Sequence, residues 1–516
     1  MDDLAERLQD AAGKGMTTAV WAAFKPDDVA VFDPSGTTHT FGKINANANR
    51  IVRLLRSRGL VAGDAVALLC SNRGEFNEVM NACQRGGFRL TPVNWHLTTD
   101  EVQYIINDCD AKALFAELRY PSAQQAETPH VVVKVAIGGE AEGFLPYDET
   151  LAGLDGSDIP DPQQGSQMLY TSGTTGRPKG VYRRATMVGP LPAAVLRSGD
   201  VQMCAGPAYH AAPLAFDVRA STMSGNPLVY IDKWDSEGVL KTIQDYKVTR
   251  AHLVPIMFQR LLALPPEVRA KYDTSSLNYI IHGAAPCSPD VKHAIIEWFG
   301  PIVHEYYAGS EGGAGFVTNS EEWLTRPGTV GKLPAPGAAK ILDDEGNECP
   351  QGVSGTIYFR VSPLAPFEYY KDPEKTKSAH RGDYFTLGDV GYLDEENYLF
   401  LTGRNAETII SGGVNIYPQE IDNELIKHPA VEDACTIGVP NDEWGEEVKS
   451  VITLSPGHTP SPDLAKDIQA FARQHLAGYK VPRTIDFVEE LPRSPAGKIQ
   501  RGKVRKPYWA GRAREI

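Results

Sequence analysis

The segment from residue 170 to residue 180 has the residue types of a loop that holds an anion. It reads Tyr-Thr-Ser-Gly-Thr-Thr-Gly-Arg-Pro-Lys-Gly, so small hydroxyl and glycine residues precede Lys179. Backbone N–H groups and hydroxyls can approach an anion closely in such a loop, and the lysine adds a point charge. The segment does not end in Gly-Lys-Ser/Thr, so it is not a Walker A loop. A flexible surface loop is the alternative, which the strand-like residues 168–170 in front of the segment disfavour.

Six further segments follow this one in a fixed order, and the set resembles the adenylate-forming superfamily of acyl-CoA synthetases, luciferases and peptide-synthetase adenylation domains. The resemblance extends over almost the whole chain, from about Thr40 to Arg501. Each segment alone is a weak signal, whereas seven in order are specific. The segments are YTSGTTGRPKG at 170, PAYHAAP at 207, HGAAP at 282, YYAGSE at 306, LGDVGYLDEENYLFLTGR at 387, SGGVNIYPQEI at 411 and LPRSPAGKIQR at 491.

The resemblance implies a nucleotide site. The adenine would lie against the small residues 283–285, with Tyr307 as a π surface for the other face of the purine. Asp389 would accept both ribose hydroxyls, because a carboxylate has two oxygens spaced for a cis-diol. Outside their motifs, Tyr307 reads as a core residue and Asp389 as a solvated charge. The implied ATP- and AMP-binding residues are Thr171, Ser172, Gly173, Thr174, Thr175, Gly176, Lys179, Gly283, Ala284, Ala285, Glu305, Tyr306, Tyr307, Ser310, Asp389 and Arg404.

Three residues are implied to be catalytic: Lys498, His210 and Glu311. Lys498 would bridge the substrate carboxylate and the α-phosphate, where two anions meet and a preorganised cation lowers the barrier. The nucleophile is already ionised at neutral pH, so no general base is needed. Glu311 would hold Mg²⁺, a hard cation that prefers oxygen ligands. His210 would lie between the nucleotide and acyl sites. The alternatives are a solvated glutamate and a partly buried histidine with satisfied hydrogen bonds.

The acyl pocket is assigned to Tyr209, His210, Leu214 and Ala308. Residues 209–216 are largely apolar and contain no Lys or Arg, which favours a hydrophobic acid: a fatty acid of medium or long chain, a steroid side-chain acid or an aryl acid. An ordinary core is the alternative for these residues.

The sequence departs from the family pattern at three positions. Ala308 and Ser310 stand where the family has Gly and Thr, and the added methyl of Ala308 bears on substrate size. Ala406 stands where the family usually has a hinge Asp or Lys. The resemblance assigns the hinge and the CoA-binding positions to Ala406, Gly412, Gly413 and Lys480.

The function implied is that of an AMP-forming acyl-CoA ligase. ATP and the acid would give an acyl-adenylate and pyrophosphate, and the CoA thiol would then displace AMP. ATP, Mg²⁺, CoA and a small carboxylic acid are therefore the expected cofactor and partners. One alternative is loading of an acyl or amino acid onto a carrier protein, since Asp217 resembles an acidic ammonium partner. The other is a catalytically silent nucleotide-binding regulator, which would be expected to lack Lys498 or Glu311.

Strand-length apolar runs alternate with helix-length segments along most of the chain. Examples are the strand-like residues 65–70, the helical 75–85 and the strand-like 88–93. This alternation indicates an α/β fold with largely parallel sheets. After Gly403 the pattern changes to a compact α+β unit, in which residues 421–428 suggest a short helix. We therefore predict a large multi-sheet N-terminal domain, residues 1–403, with the adenylate-forming fold, and a smaller mobile C-terminal lid, residues 404–516.

Composition narrows the class of protein. The chain has 516 residues and a formal net charge of −14, which argues against a nucleic-acid partner. Seven separated cysteines without a CxxC pair indicate reduced thiols. No signal peptide or membrane-spanning run is recognisable, so a cytoplasmic protein is expected. Peripheral membrane contact and a homodimer stay open. Ten Lys or Arg against four Asp or Glu from Lys480 onward suggest either a polyanionic ligand or a solvated basic tail.

Overall fold

The computed structural model describes residues 2–171, 178–183, 199–343, 345–362, 366–404, 407–411, 414–441, 445–476, 478–494 and 497–510. The chain forms two compact units. Unit 1 comprises Met1–His282, Ala294–His304 and Val361–Ser378. Unit 2 comprises Gly283–His293, Glu305–Arg360 and Ala379–Ile516.

Strands and helices alternate along the first part of the chain. The helices are α1 Asp2–Gly13, α2 Thr17–Phe24, α3 Phe41–Ser57, α4 Gly74–Gly86, α5 Thr99–Asp108, α6 Ser122–Gln125, α7 Tyr147–Ala152, α8 Ala211–Pro213, a π-helix Leu214–Arg219, α9 Ala220–Ser224, α10 Ser236–Tyr246, α11 Pro255–Leu262, α12 Pro266–Arg269, α13 Pro289–Phe299, α14 Ser320–Thr325, α15 Pro373–Ala379, α16 Pro418–Leu425, α17 Pro462–His475, a 3₁₀ turn Gly478–Lys480 and α18 Arg501–Trp509.

The strands are β1 Val29–Phe32, β2 Thr38–Thr40, β3 Ala65–Leu69, β4 Arg89–Pro92, β5 Ala111–Glu117, β6 Val133–Ile137, β7 Leu145–Pro146, β8 Ser166–Thr171, β9 Lys179–Arg183, β10 Gln202–Cys204, β11 Leu228–Tyr230, β12 Arg250–Leu253, β13 Tyr279–His282, β14 Val303–Gly309, β15 Gly312–Thr318, β16 Thr329–Lys332, β17 Ala339–Leu342, β18 Gly355–Arg360, β19 Phe367–Tyr369, β20 His380–Arg381, β21 Tyr384–Leu393, β22 Tyr398–Arg404, β23 Ile409–Ser411, β24 Val414–Ile416, β25 Val431–Asn441, β26 Gly445–Leu454 and β27 Thr484–Phe487.

One sheet of unit 1 has the strand order β19-β9-β8-β4-β3-β5-β6-β7. It is parallel from β8 to β7, whereas β9 is antiparallel to both β8 and β19. Strand β3 is apolar and buried along its whole length, as expected for a parallel strand covered on both faces. The predicted elements at 65–70, 75–85 and 88–93 are confirmed as β3, α4 and β4. Gly87 ends α4 in the left-handed region, at φ 79°.

The second group of strands in unit 1 has the order β13-β12-β10-β11-β1-β2. Its neighbours are parallel except for the pair β1 and β2. A continuous apolar core joins these strands to α3 and α4 and includes Ile51, Phe76 and Leu228, each with no exposed surface. The carboxyl ends of parallel strands therefore supply the loops after β3, β8 and β10, where ligand sites of α/β sheets usually lie.

Unit 2 contains an antiparallel sheet that the sequence pattern did not predict. Its order is β16-β22-β21-β18-β17, and β20 pairs with β21. The hairpin of β14 and β15 is also antiparallel, with a register shift between Tyr307 and Gly309. The prediction of largely parallel sheets is thus confirmed for unit 1 and wrong for residues 329–404.

The last part of unit 2 is an α+β fold, as predicted. Its sheet has the order β24-β23-β26-β25, and β27 lies parallel to β26. Helices α16 and α17 cover one core of this sheet. We expected the first of these helices at 421–428, but it begins at Pro418 and ends at Leu425. Proline at the first helical position costs no hydrogen bond and fixes a helical φ, so the helix starts earlier than the apolar pattern implied.

The seven cysteines are free thiols, and five of them are buried. Burial raises the pKa of Cys83 and Cys204, which keeps them as unreactive thiols.

Among the described residues, none of the helices combines the length and apolarity that crossing a bilayer requires. The domain boundary at residue 404 stays a prediction.

Candidate active site

The predicted anion-binding segment lies in sequence between β8 and β9, which pair with each other. Thr171 pairs with Lys179 at the open end of the hairpin, and residues 172–177, including Ser172, Gly173, Thr174, Thr175 and Gly176, lie outside the described residues. The Lys179 ammonium pairs with Asp372, and its hydrogen bond holds the pKa of that carboxyl below its usual range. Gly180 is closely packed, since a Cβ there would lie 3.0 Å from the Met168 sulfur. The hairpin is thus closely packed, and Lys179 lies at the end of the hairpin next to residues 172–177 in sequence.

The loop before His210 is fixed by a residue that the sequence analysis missed. Asn72 follows β3 and is 7% exposed. Its Nδ2 donates to the carbonyl oxygens of Gly206, at 2.9 Å, and Ile231, at 3.0 Å, while its Oδ1 accepts from the N–H of Ala208 at 2.8 Å. A buried asparagine with these three bonds locks the backbone two residues before His210. An Asn directly after a buried strand was the available signal.

His210 caps the amino end of a helical segment that runs through α8 and the π-helix. Its carbonyl oxygen accepts from Leu214 N–H at 3.0 Å. The ring of Tyr209 lies 4.5 Å from that of His210 and 6.1 Å, edge-on, from that of Trp95. Tyr209 is buried and Leu214 is 1% exposed within the core of unit 1. The predicted acyl-pocket residues Tyr209, His210 and Leu214 therefore share one segment, but Leu214 packs as core.

Residues 283–285 form a tight bend after β13. A Cβ on Gly283 would lie 2.6 Å from the carbonyl oxygen of Tyr306, so only glycine fits. Ala284 adopts φ 65°, an uncommon conformation for a residue with a side chain. The bend therefore presents backbone rather than side chains, as the resemblance requires for a flat ring, and it brings Gly283 onto Tyr306.

Glu305 is buried and paired inside unit 2. Lys292 Nζ donates to Glu305 Oε2 at 2.5 Å, and Lys292 has no exposed side-chain surface. The Lys292 ammonium also lies 4.7 Å from the centre of the Trp323 ring. Burial raises the pKa of Glu305 and lowers that of Lys292. Glu305, predicted to bind the nucleotide, thus has its carboxylate in an internal ion pair, which the sequence did not indicate.

Tyr307 and Asp389 come together, although 82 residues separate them. The Tyr307 hydroxyl donates to Asp389 Oδ2 at 2.6 Å, and Asp389 is 6% exposed. Asp389 lies opposite Arg404 in the pairing of β21 and β22, and the Arg404 side chain lies outside the described residues. Gly388, at φ 79°, turns the strand just before Asp389. The predicted stacking residue and the predicted ribose acid therefore form one hydrogen-bonded pair.

Glu311 and Ser310 form the tip of the β14–β15 hairpin. Both are partly exposed, and Ala308 just before them is exposed. A Cβ on Gly309 would lie 2.8 Å from Leu387 and 3.0 Å from Glu311 Oε2, so Gly309 lets the hairpin approach β21. Glu311 therefore lies at a turn whose backbone packs closely on β21.

The predicted catalytic lysine lies on a closed turn. Ser494 N–H donates to the carbonyl oxygen of Lys498 at 2.7 Å, and Gly497, at φ 78°, closes the turn. Arg493 donates to the Gly497 carbonyl oxygen at 2.5 Å and pairs with Asp433. The Lys498 side chain is exposed, so the turn presents it outward.

Part of the basic tail is paired with carboxylates inside unit 2, which the composition did not show. Arg501 is 8% exposed and donates to Glu407, at 3.0 Å, and to Asp422, at 2.8 Å. Lys480 donates to both carboxylate oxygens of Glu420 at 2.6 Å. The hinge and CoA candidates Ala406, Gly412 and Gly413 lie outside the described residues.

Two family models match the chain. The model of the AMP-binding enzyme matches residues 18–367, and that of the AMP-binding enzyme C-terminal domain matches residues 420–498. The chain belongs to the AMP-binding enzyme family. Membership confirms the adenylate-forming fold and the class of AMP-forming acid–thiol ligases that the seven segments predicted.

Members of the AMP-binding enzyme family that resemble this chain have different substrates in their names. A fatty acid–[acyl-carrier-protein] ligase of Streptomyces coeruleorubidus is 31% identical over 97% of this chain and 97% of its own. A 2-succinylbenzoate–CoA ligase of Geobacillus kaustophilus is 32% identical over 94% of this chain and 96% of its own. The solved structure of an anthranilate CoA ligase with anthranoyl-AMP has a TM-score of 0.84 at 26% identity, covering 95% of this chain and 97% of its own.

Proposed function

We propose that this AMP-binding enzyme activates a hydrophobic carboxylic acid with ATP and transfers the acyl group to CoA. In the first step a carboxylate oxygen attacks the α-phosphorus, and the bond to pyrophosphate breaks to give acyl-AMP. In the second step the CoA thiolate attacks the acyl carbon and AMP leaves. The observation that carries the proposal is the Tyr307–Asp389 hydrogen bond of 2.6 Å, which holds the ribose-binding carboxylate in one orientation beside an aromatic ring.

Within this proposal, Tyr307 has two functions. Its ring supplies the stacking surface for adenine, and its hydroxyl orients Asp389 toward the ribose. We propose that the bend at residues 283–285 supplies backbone for the opposite face, because its residues are glycine and alanine and Ala284 adopts a positive φ. Lys179 is paired with Asp372, and we propose that it exchanges this carboxylate for a phosphate oxygen when ATP binds.

Mg²⁺ fits the donor set at the hairpin tip. Glu311 offers carboxylate oxygens, the ligand type that this cation prefers, and phosphate oxygens would complete its shell. When bound, Mg²⁺ neutralises phosphate charge. The exposed Lys498 meets the approaching carboxylate and the α-phosphate and stabilises the negative charge that gathers there. We propose that residues 404–516 form a lid that turns about Ala406 to present first Lys498 and then the glycines at 412 and 413.

The hydrophobic acid is proposed from the apolar segment 209–216. Burying one methylene contributes about 0.8 kcal/mol. The kcat/KM of an acid with several more carbons should therefore exceed that of acetate by well over roughly tenfold. The test is pyrophosphate release measured across a panel of fatty, aryl and steroid side-chain acids, with acetate as reference. Equal or better efficiency with acetate would contradict the proposed substrate class.

Carrier-protein loading is the second candidate, because one relative is named as a fatty acid–[acyl-carrier-protein] ligase. Its amino-acid version is disfavoured, since Asp217 has no exposed surface and accepts from Gln202 Nε2 at 2.8 Å. Burial also raises the pKa of Asp217 well above its usual range, so it is unsuited to pair with an ammonium group. To test this candidate, the acyl-adenylate is formed on the enzyme, and either CoA or a phosphopantetheinyl carrier protein is then added. If a thioester forms only with the carrier protein, then the carrier protein and not CoA is the acyl acceptor.

A further inference from the structure

A small cavity in unit 1 has the composition of an anion site. It has a volume of about 40 Å³ and is lined by residues from α2, α4 and α9, among others, with Arg219 from the end of the π-helix. A water molecule needs about 10–15 Å³ of such cavity volume, so the cavity has room for about three water-sized groups. That is the size of a carboxylate or a small oxyanion. None of the described residues that line it carries a carboxylate.

Arg219 brings an uncompensated positive charge to this cavity. Within the described part of the chain, its guanidinium makes no hydrogen bond or ion pair. Burial lowers the pKa of Arg219, and the positive charge of Arg183 at the end of β9 lowers it further. The guanidinium still stays cationic at neutral pH. The Arg219 side chain is partly buried, and no lining residue among those described carries a carboxylate, so an anion bound here would gain a charge-assisted hydrogen bond.

The amino end of α2 faces the same cavity and is independent of Arg219. Thr17, the first residue of α2, is 8% exposed and lines the cavity. No hydrogen bond of its hydroxyl is found among the described residues, and the hydroxyl is not sealed from water. The helix has no side-chain cap and no acidic residue in its first turn. Helix amino ends carry partial positive charge and N–H donors that suit anions.

The walls that hold these groups are rigid. A Cβ on Gly15, which has φ 68°, would lie 2.3 Å from the Gln84 carbonyl oxygen. A Cβ on Gly165 would lie 2.1 Å from the Cys83 carbonyl oxygen, and Gly165 N–H donates to Gln84 O at 2.7 Å. The backbone before α2 and before β8 is therefore packed directly on the end of α4, and the cavity is preorganised.

We propose that this cavity binds a small anion through the guanidinium of Arg219, the hydroxyl of Thr17 and the amino end of α2. The group recognised is a carboxylate or a small oxyanion. Two sources have this chemistry, a free inorganic anion and the far carboxylate of a dicarboxylic acid. Arg219 follows His210 by nine residues on the segment formed by α8 and the π-helix, so the second source would extend the proposed function.

The experiment measures the melting temperature of the full chain during titration with sodium phosphate or sodium succinate. Ionic strength is held constant with a bulky sulfonate. The wild-type melting temperature should rise to saturation with at least one of the two anions. Arg219→Met should melt no lower than wild type without anion, because it removes an unpaired charge, and its apparent Kd should rise at least about tenfold. Thr17→Val should raise the Kd about threefold or more.

Two variants make the outcome decisive. Arg219→Lys keeps the charge and should retain a weaker saturating response, and Arg260→Met, on exposed helix surface, should match wild type. The proposal fails if the wild type shows no saturating response, or if Arg219→Met responds like wild type. The source of the bound anion is identified by comparing the turnover of dicarboxylic and monocarboxylic acids of equal length. A preference for dicarboxylic acids that Arg219→Met abolishes assigns the far carboxylate, and unchanged turnover assigns a free anion.

Discussion

Breaking the ion pair of Lys292 and Glu305 should destabilise the protein strongly. Both side chains are almost fully buried, so Lys292→Met leaves a carboxylate inside unit 2 without its 2.5 Å partner. Removing one member of a buried pair costs about 3–5 kcal/mol of unfolding free energy. The lost contact with the Trp323 ring adds up to about 2 kcal/mol. We expect a total loss of about 3–7 kcal/mol near neutral pH.

The double variant Lys292→Met/Glu305→Leu separates the two contributions. Since it leaves no buried charge, it should lose only the ring contact, at most about 2 kcal/mol. Urea unfolding followed by tryptophan fluorescence measures both variants, and Trp323 is close enough to report locally. A double variant as unstable as Lys292→Met would refute the reasoning, because the loss would then come from packing and not from charge.

The pH dependence of Lys292→Met gives an independent check. Burial raises the pKa of Glu305 above its unfolded value. A carboxyl with a raised folded pKa adds stability in its protonated form, and this stability is lost as the pH rises through the folded pKa. The variant should therefore be closest to wild type at acidic pH and become progressively more destabilised as the pH rises through the folded pKa. A deficit that does not change with pH would contradict this assignment.

Four further substitutions test the proposed catalytic arrangement. Lys498→Ala should slow acyl-adenylate formation at least about a hundredfold but leave thioester formation from pre-made acyl-adenylate nearly unchanged; equal losses in the two half-reactions would indicate a structural role. Ala406→Pro, which fixes φ near about −65°, should still form acyl-adenylate but lose most CoA transfer, and half-reactions that fall together would remove Ala406 from the mechanism. Tyr307→Phe should raise the KM for ATP about tenfold or more through the lost hydrogen bond to Asp389, measured by pyrophosphate release. Asn72→Asp places a carboxylate oxygen against two backbone carbonyl oxygens and should lower kcat for adenylation about tenfold or more, whereas an unchanged kcat with lowered stability would limit Asn72 to folding.

Local pattern was sufficient for much of unit 1. The apolar runs at 65–70 and 88–93 and the amphipathic segment between them specify β3, β4 and α4 to within about two residues, since burial on both faces leaves no other assignment. Strands 329–404 were not predictable in the same way. Their pairing is antiparallel and long-range, and the choice of partner depends on contacts that no single segment contains.

The residues of the candidate site also differ in whether the sequence alone could identify them. Tyr307 and Asp389 were identified by their motifs, and their hydrogen bond fits those assignments, although the sequence alone gave no reason for them to touch. Asn72 and Arg501 were missed, because a buried polar side chain is recognisable only when its partners are known. Glu305 was assigned from its motif to the nucleotide, whereas its partner Lys292 is on α13 and had no motif of its own.

The π-helix at residues 214–219 has a consequence for any comparison of substrate pockets. Its i→i+5 bonding takes up one residue more per turn than an α-helix does, so every later side chain is rotated by about 100° relative to a regular helix. An alignment that matches this chain to a relative without the wide turn would keep the letters in step while turning each side chain to a different face. Substrate-contact positions transferred from aligned columns after His210 would then point to side chains on a different face, and pocket engineering would have to move the widened turn together with the side chains it orients.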